Sequence, residues 1–378
     1  MENVTFSNLD SPSLPIIPVI YCSPCSKLNL TNIIYENSAI AILKSLGSAN
    51  ILLTKCIFRN LEVPTNAAPL IYFTNAEFTI PPNDYLIEDT LFENITVRHL
   101  LICLDDRVNL KVTNIIMSNI SKRNIPVDQL TADDDYFLRN QIRICFHAEE
   151  SSSTILNNNR FYSINSHCIV VKLSGIKVEH TIFDNSLLPK QDILPAKFDH
   201  STGVTWISFD QVVTTSMGIL QYFNNVTLGT NAYPSQYGGA LYMNSIIYAH
   251  SIYIRNCRFE GLRAQYGGAI AITSTVAFLE IFESTTFLNN EALLDGGAIF
   301  KISPNLFNSN YQLRLGISLR DSTFINNKSG RNGGVIYANW DTMSIENSSF
   351  NLNSALNGGV LYFINFYPFF LRDLVIRS

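Results

Sequence analysis

Charged residues are scarce in this 378-residue chain, since Asp, Glu, Lys and Arg together make up 15% of it, against about a quarter in typical soluble domains. Hydrophobic residues make up 47%. This composition excludes an intrinsically disordered chain, which has few apolar residues and a strong net charge. The formal net charge is only −5, and no lysine- or arginine-rich run occurs, so nothing indicates a nucleic-acid partner.

Long apolar runs are also missing. The longest candidates, at 11–26 and 357–371, are too short or too interrupted by Pro, Asn and Ser to span a bilayer. The amino terminus, MENVTFSNLD, lacks the basic start and apolar core of a signal peptide. Because the sequence begins and ends in mid-repeat without polar caps, we expect it to be a piece of a longer protein.

Helical periodicity is absent almost everywhere, and a different repeat takes its place. Alternating apolar residues lead to a short polar residue, an aromatic residue follows three positions later, and Asn usually lies two beyond that, as in ISLRDSTFINN (317–327). We call the aromatic position the anchor. The anchors are Phe6, Tyr35, Phe58, Phe92, Phe161, Phe183, Phe259, Phe287, Phe324 and Phe350, with Met117, Leu228 and Ile376 in weaker copies.

A second marker follows the anchor in the carboxy-terminal third. It is a Gly-Gly pair with a small and then a larger apolar residue, and it occurs at 238–241, 267–270, 296–299, 333–336 and 358–361. Two markers in fixed order, recurring at a spacing of a few dozen residues, are typical of a solenoid. Gly-Gly does not indicate a phosphate loop here, because no Lys-Ser/Thr follows it.

Alternation with a period of two predicts strands with one buried face. Short strands that return to the same place in each repeat predict an all-β fold, a parallel β-solenoid of about thirteen coils. We expect one domain over 1–378, with degenerate coils at 1–219 and regular coils at 220–378. Equivalent residues should then lie above one another, so that the anchors form a buried aromatic ladder.

Stacking also predicts roles for Asn and Gly. Asn above Asn allows each amide to donate to the next, and we expect Asn326 to be a rung of such a buried ladder. The Gly-Gly pair should lie where the chain turns, because a missing Cβ permits positive φ or close backbone approach.

The two markers, as in FLNN (287–290), FINN (324–327) and GGAI (296–299), resemble the repeats of the polymorphic outer membrane proteins of chlamydiae. The resemblance is close over 220–378, whereas residues 1–237 lack Gly-Gly. It implies a right-handed, single-stranded parallel β-helix of the pectin-lyase-like type. It also implies exposure on a cell surface and a non-enzymatic role in adhesion or as a scaffold.

The alternative is a lyase or hydrolase acting on polysaccharide, since the pectin-lyase-like fold hosts such enzymes. Asp105-Asp106 is similar to the paired aspartates of polygalacturonases, but adjacent strand residues face opposite ways. That family's other motifs, Asn-Thr-Asp, Gly-His-Gly and Arg-Ile-Lys, are absent. Three or more carboxylates with an Arg or Lys in one groove would favour the enzyme.

Other candidate sites are weak, and the sequence predicts no catalytic, cofactor-binding or metal-ligating residue. The six histidines show no metal-ligand spacing. Cys56 and Cys257 take the small-residue position two before an anchor, which predicts buried thiols. CSPC (22–25) lacks a second Cys-x-x-Cys, so zinc is disfavoured and a Cys22–Cys25 disulfide is conceivable. Trp206 and Trp340, with the tyrosines, would form a sugar-stacking platform if they lined one outer face, but we favour packing or scattered exposure.

Two stretches without the repeat, at 120–140 and 186–204, predict loop insertions. Insertions in solenoids lie on one face, often the binding face, although neutral decoration is the favoured interpretation here. Asp133-Asp134-Asp135 lacks calcium-loop spacing. We expect a protein or glycan partner at a surface and no cofactor. Any membrane association should come from other parts of a longer chain.

Overall fold

The computed structural model describes residues 1–9, 18–23, 27–46, 50–62, 70–74, 83–97, 102–105, 108–122, 143–148, 153–165, 167–171, 175–189, 205–211, 219–232, 234–245, 250–273, 277–302, 316–339, 342–364, 369–372 and 375–377. Within these ranges the chain is built of strands, turns and bends. None of the described residues forms a helix that could cross a membrane. The prediction of an all-β protein is confirmed.

The chain folds into two compact units, Met1–Gly175 and Ile176–Ser378. Each unit is a parallel β-helix, because every pair of neighbouring strands with a described register runs parallel. A coil contributes one strand to each of three sheets. The leading sheet holds the strands that precede the anchors, the anchor sheet holds the anchors, and the third sheet holds the strands that follow. The single domain expected over 1–378 stays a prediction.

The strands of the first unit fall into these three sheets in chain order. The leading sheet comprises β3 (Lys27–Thr31), β6 (Asn50–Thr54), β9 (Asn83–Glu88), β12 (Val108–Thr113) and β15 (Ser153–Asn157). The anchor sheet comprises β1 (Thr5–Ser7), β4 (Ile34–Glu36), β7 (Ile57–Glu62), β10 (Leu91–Val97), β13 (Ile116–Lys122) and β16 (Arg160–Ile164). The third sheet comprises β2 (Ile20–Cys22), β5 (Leu43–Leu46), β8 (Ile71–Thr74), β11 (Ile102–Asp105), β14 (Arg143–Ala148) and β17 (His167–Val171).

The second unit repeats the arrangement and adds a short fourth sheet just before the Gly-Gly markers. Its leading sheet comprises β18 (Gly175–Glu179), β21 (Ile219–Asn224), β25 (His250–Arg255), β29 (Ala277–Phe282), β33 (Gly316–Arg320), β37 (Met343–Glu346) and β40 (Phe369–Arg372). Its anchor sheet comprises β19 (Ile182–Asp184), β22 (Thr227–Leu228), β26 (Arg258–Glu260), β30 (Thr286–Leu288), β34 (Thr323–Ile325), β38 (Ser349–Asn351) and β41 (Val375–Arg377). Its third sheet comprises β20 (Ile207–Gln211), β24 (Leu241–Ser245), β28 (Ile270–Thr273), β32 (Ile299–Ile302), β36 (Ile336–Asn339) and β39 (Leu361–Ile364). The short sheet comprises β23 (Ser235–Tyr237), β27 (Arg263–Tyr266), β31 (Glu291–Asp295) and β35 (Lys328–Ser329).

The anchors pair with anchors, as the repeat predicts. Within the first unit the register joins Phe6, Tyr35, Phe58, Phe92, Met117 and Phe161 in succession. Within the second it joins Phe183, Leu228, Phe259, Phe287, Phe324, Phe350 and Ile376. The rings of Phe287 and Phe324 stack with centroids 4.8 Å apart. The anchors from Tyr35 to Phe350 are at most 1% exposed. The aromatic ladder therefore forms the core, and the weak copies occupy the same column.

The short polar residue three before each anchor has a backbone role. It adopts a left-handed conformation, with φ between 45° and 59°, at Asn3, Asn32, Lys55, Asp89, Asn114, Asn158, His180, Asn225, Asn256, Ser284, Asp321 and Asn347. A second left-handed corner lies two after the anchor, most often at Asn, for example Asn289 (φ 56°) and Asn326 (φ 52°). Asn, Asp and Gly adopt this conformation more readily than other residues. The polar residues of the repeat therefore turn the chain on either side of the anchor strand.

The residue two before the anchor joins successive coils from inside. The Ser322 hydroxyl donates to the Arg320 carbonyl over 2.9 Å, and the Ser348 hydroxyl accepts the backbone N–H of Ser322 over 3.2 Å. Cys257 substitutes for Ser or Thr in this column, because its Sγ contacts the Arg255 carbonyl over 3.0 Å. Cys56 and Cys257 are buried thiols, as predicted.

The asparagines form two kinds of ladder, and one expectation about them is wrong. Asn326 does donate to the Oδ1 of Asn289 over 2.8 Å, but both side chains are exposed. The buried ladder lies one residue later, where Asn290 donates to the Oδ1 of Asn327 over 2.9 Å and Asn327 donates to Asn353 over 3.0 Å. The left-handed corner turns the first amide of each Asn-Asn pair outward, so the second one is buried.

Replacing Asn327 with Leu should lower the free energy of unfolding by about 2–3 kcal/mol, since buried donors and acceptors lose their partners. The Asn327 amide accepts the Asn290 backbone N–H and donates to the Phe287 carbonyl, besides its ladder bonds. Urea unfolding should show this loss. The matched control, Asn326→Leu, should cost less than about 1 kcal/mol, the worth of one exposed hydrogen bond and a strained corner. Equal losses in the two variants would contradict the assignment of the buried ladder.

The Gly-Gly pair has both of the expected properties. Gly296 has a φ of +70°, and the backbone N–H of Gly297 donates to the carbonyl of Gly333 in the next coil over 3.0 Å. The predicted insertions lie largely outside the described residues, at 123–142 and 190–204. The Asp133-Asp134-Asp135 run lies there as well.

Candidate functional site

The structure does not gather the residues that the sequence singles out. Asp105 ends β11, and Asp106, Cys25 and Trp340 lie outside the described residues. His180 has the structural role expected of its position, with its Nε2 3.3 Å from the Nδ2 of Asn225. Cys22 is disulfide-bonded. Within the part of the chain that the structure describes, no three His, Cys, Asp or Glu side chains form a group that could hold a metal ion.

A groove of about 710 Å³ lies on the outer side of the anchor sheet in the second unit. Its lining includes the carboxylates of Asp184, Glu260 and Glu291 and the guanidinium of Arg263. Three carboxylates and one Arg in one groove meet the condition that favours an enzyme. We call this feature the anchor groove. Its other lining residues are Ile182, Ser186, Thr227, Gly229, Thr230, Gly261 and Asn289.

The anchor groove exists because two columns of outward residues contain glycine. The position after the anchor is Asp184 in β19 and Glu260 in β26, but it is Gly229 in the coil between them. The left-handed corner two after the anchor carries Asn289 in the coil of β30, whereas the coil of β26 has Gly261 with a φ of +64°. Two missing side chains on neighbouring coils therefore leave a depression in a surface that is otherwise filled.

The floor of the groove is held rigidly from below. The coil of β22 has a small anchor, Leu228, and Trp206 compensates with an indole that is 0% exposed and 5.5 Å from the ring of Phe183. The Trp206 Nε1–H donates to the Gly229 carbonyl over 2.9 Å. The Gly229 backbone N–H donates to the Phe183 carbonyl over 2.7 Å. Packing of Trp206 in the core, the favoured interpretation, is therefore correct.

Each carboxylate of the anchor groove already has a protein partner. The Asp184 Oδ1 accepts the backbone N–H of Ser186 over 2.9 Å, and its Oδ2 accepts the Ser186 hydroxyl over 2.7 Å. Glu260 lies 2.7 Å from the Nε of Arg258, and this hydrogen bond raises the pKa of the Arg258 guanidinium. Glu291 lies 3.6 Å from the Nε of Arg263. These pairs are partly exposed, so each is worth little in stability, but they fix the side chains that line the groove.

Sequence reasoning missed the anchor groove, although a signal was present. The phrase FEGL (259–262) departs from FLNN and FINN by lacking Asn two after the anchor. Ser186, at the start of the second predicted insertion, belongs to the lining. The groove depends on the side chains that Gly229 and Gly261 lack, and catalytic or metal-binding motifs consist of side chains that are present.

Comparison with family models matches residues 284–300 and 321–339 to the Chlamydia polymorphic membrane protein repeat. The matched segments contain the anchors Phe287 and Phe324 and the Gly-Gly pairs that follow them. Residues 284–300 and 321–339 are polymorphic membrane protein repeats. The family is described as one of membrane proteins, which indicates a cell-surface protein. No curated protein and no solved structure matches the chain.

A column of aromatic rings lies beside the Gly-Gly markers of the second unit. The rings of Tyr237 and Tyr266 stack with centroids 5.3 Å apart, Phe300 and Tyr337 are 5.2 Å apart, and Tyr337 and Tyr362 are 5.8 Å apart. The interplanar angles of these three pairs are 10–19°, so the two rings of each pair cover each other's faces, whereas Tyr266 and Phe300 are tilted by 44°. The stacked faces of these pairs are therefore closed to a sugar ring, which disfavours sugar stacking on them.

Asp295, just before a Gly-Gly pair, is a carboxylate only 2% exposed. The Arg331 Nε donates to its Oδ1 over 2.9 Å, and the Asn332 amide donates to the same oxygen over 2.8 Å. The contact with Asp295 raises the pKa of the Arg331 guanidinium. Asp295 therefore joins its own coil to the next one through Arg331 and Asn332.

The buried thiol of Cys257 should not react while the repeat is folded. Burial raises its pKa to about 12, and only the thiolate is nucleophilic, so at pH 8 roughly one molecule in 10⁴ would carry it. Iodoacetamide followed by peptide mapping should find the Cys257 peptide unmodified in buffer and fully modified in urea. Rapid labelling in buffer would show that this column is not buried.

Proposed function

We propose that this chain is a non-catalytic part of a cell-surface protein, acting in adhesion or as a structural scaffold. The observation that supports it is the use of the recurrent polar residues. Asn, Asp, Ser and Thr of the repeat turn the chain at the corners or bond one coil to the next, as Ser322, Asn327 and Asn347 do. The polar residues that recur in the sequence therefore serve to stack the coils. The partner is a protein or glycan at a surface, and the mild negative charge disfavours nucleic acid.

A catalytic function on polysaccharide is the second candidate, because the anchor groove combines three carboxylates with Arg263. Hydrolysis by paired carboxylates requires one of them to donate a proton and the other to act as base or nucleophile. Glu260 lies 2.7 Å from the Nε of Arg258 and Glu291 lies 3.6 Å from the Nε of Arg263, so each carboxylate on the wall of the groove is held by an arginine. That arrangement suits a fixed surface better than a general acid.

The proposal is tested by measuring retention and turnover on the same preparation. Beads coated with the folded chain should be retained on cell monolayers or extracellular-matrix glycoproteins under flow, and beads coated with the heat-unfolded chain should not. Incubation with polygalacturonate and with neutral polysaccharides should release no reducing ends and no unsaturated product. Turnover that disappears in Glu260→Gln or Glu291→Gln would replace the proposal with the enzyme.

A further inference from the structure

We propose that the anchor groove is a binding site for a short, uncharged segment of a glycan. This inference rests on the proposed function and names the partner for one surface of the second unit. The groove is specific to this part of the chain, because it needs Gly229 and Gly261 where the equivalent columns carry Asp184, Glu260 and Asn289. Of the residues that recur in the repeat, the Asn two after the anchor takes part in the groove, at Asn289.

The size and lining of the groove suit a sugar. Its volume of about 710 Å³ lies within the range of roughly 300–1,000 Å³ for small-molecule sites. The lining offers hydroxyls from Ser186, Thr227 and Thr230, an amide from Asn289, carboxylates and one guanidinium, and a single apolar side chain, Ile182. Sugar hydroxyls donate and accept at once, so they match a mixed set of donors and acceptors. An apolar ligand would leave these groups without partners.

The charge of the lining selects against acidic sugars and against basic peptides. Asp184, Glu260 and Glu291 carry three negative charges against the two positive charges of Arg263 and Arg258, and the excess of one negative charge disfavours uronates and sulfated sugars. A basic peptide would require free carboxylates, whereas Glu260 and Glu291 lie beside Arg258 and Arg263. Ion-paired carboxylates retain lone pairs that can accept hydrogen bonds from hydroxyls. An uncharged sugar is therefore the ligand that fits.

The groove is also ready to bind without rearrangement. Backbone N–H groups tie its floor to neighbouring coils, with Thr227 donating to Thr181 over 3.0 Å and Gly261 donating to Leu288 over 2.9 Å. Trp206 supports the Gly229 carbonyl from inside. A rigid site loses little conformational freedom when a ligand binds.

The decisive variant is Gly261→Asn, which fills the groove with a residue suited to the backbone there. Asn289 and Asn326 hold the same corner with φ of 56° and 52°, so Asn should fit the φ of +64° at 261. A Cβ at this position would lie 2.8 Å from the Thr230 Oγ1, the end of a rotatable side chain. Thermal unfolding should show that Gly261→Asn folds as stably as the parent chain.

The matched control is Leu352→Asn, which places the same residue at the equivalent corner outside the groove. Leu352 has a φ of 56° and is 62% exposed. Isothermal titration calorimetry would use maltohexaose, cellohexaose, mannohexaose and chitohexaose as neutral probes, with hexagalacturonate and hexalysine as charged ones. At least one neutral probe should bind the parent chain and Leu352→Asn equally. Gly261→Asn should weaken that binding by about tenfold or more, since several hydrogen bonds are lost together. Glu260→Gln should weaken it about tenfold.

Four outcomes would overturn the inference. The first is that no neutral probe binds. The second and third are that hexagalacturonate or hexalysine binds more tightly than the neutral probes, and the fourth is that Gly261→Asn binds a neutral probe as tightly as the parent chain does. The bead assay on Gly261→Asn separates this result from the proposed function. If beads are retained although no neutral sugar binds, the glycan site is wrong and adhesion stands. If a probe binds and is cleaved, the site stands and the non-catalytic proposal fails.

Discussion

Gly297→Ala should lower the free energy of unfolding by about 3 kcal/mol or more. A Cβ at Gly297 would lie 2.1 Å from the Gly334 carbonyl oxygen and 2.8 Å from the backbone of Lys328. Both obstacles are backbone atoms of the next coil, so no side-chain rotation relieves them. Overpacking of a tightly packed site costs about 1–3 kcal/mol and sometimes more, and displacing a hydrogen-bonded coil belongs at the upper end. Urea denaturation followed by far-ultraviolet circular dichroism would measure the loss.

Gly359→Ala is the matched control, because Gly359 is the second glycine of another marker. Its nearest neighbouring heavy atom to an added Cβ is the Asn353 carbonyl oxygen at 3.8 Å, an ordinary contact. The free energy of unfolding should change by less than about 0.5 kcal/mol, as at most uncrowded surface positions. A large loss in Gly359→Ala, or none in Gly297→Ala, would mean that local conformation and not the approach of coils demands the second glycine.

Phe324→Ala should cost about 3–5 kcal/mol, the range for removing a buried aromatic side chain. The Phe324 ring is 0% exposed and stacks between Phe287 and Phe350, with both centroid distances 4.8 Å. Its removal leaves a cavity between two rings that cannot close together, because β30, β34 and β38 keep their spacing through backbone hydrogen bonds. Thermal and urea unfolding should both show the loss.

Phe324→Leu distinguishes loss of volume from loss of aromatic stacking. Leucine already occupies this column at Leu228, where it is 0% exposed. The variant keeps most of the apolar contact and should lose only about 1–2 kcal/mol, the stacking and the smaller cavity together. A loss in Phe324→Leu equal to that in Phe324→Ala would show that the shape of the ring, and not buried volume, holds the coils together.

The fold and the register could be predicted from the sequence because both follow from the spacing of residues along the chain. The spacing of anchors sets which residues stack, so even Met117 and Leu228 take the expected positions. The inward face of each strand follows from alternation, as at Ile317 and Leu319, each 1% exposed. These are local properties of the chain, repeated often enough to be recognised.

Which side chains point inward at the corners could not be predicted in the same way. In FINN (324–327) alternation alone does not say which Asn is buried, because the left-handed residue at 326 changes the direction of the chain. The anchor groove was missed for another reason. Gly229 and Gly261 form the groove because they lack side chains, and Trp206 supports the Gly229 carbonyl from a position 23 residues earlier in the sequence. Such cooperation depends on three-dimensional neighbours that no local pattern contains.

The separation of inward columns from outward columns has an evolutionary consequence. Ala264 and Phe259 face the interior, whereas the intervening Glu260 lies on the outer side, where a substitution does not repack the core. Substitutions in the outward columns of a single coil can therefore change the surface that the chain presents while its interior stays the same. The same coil geometry therefore permits a variable surface and requires a constant interior.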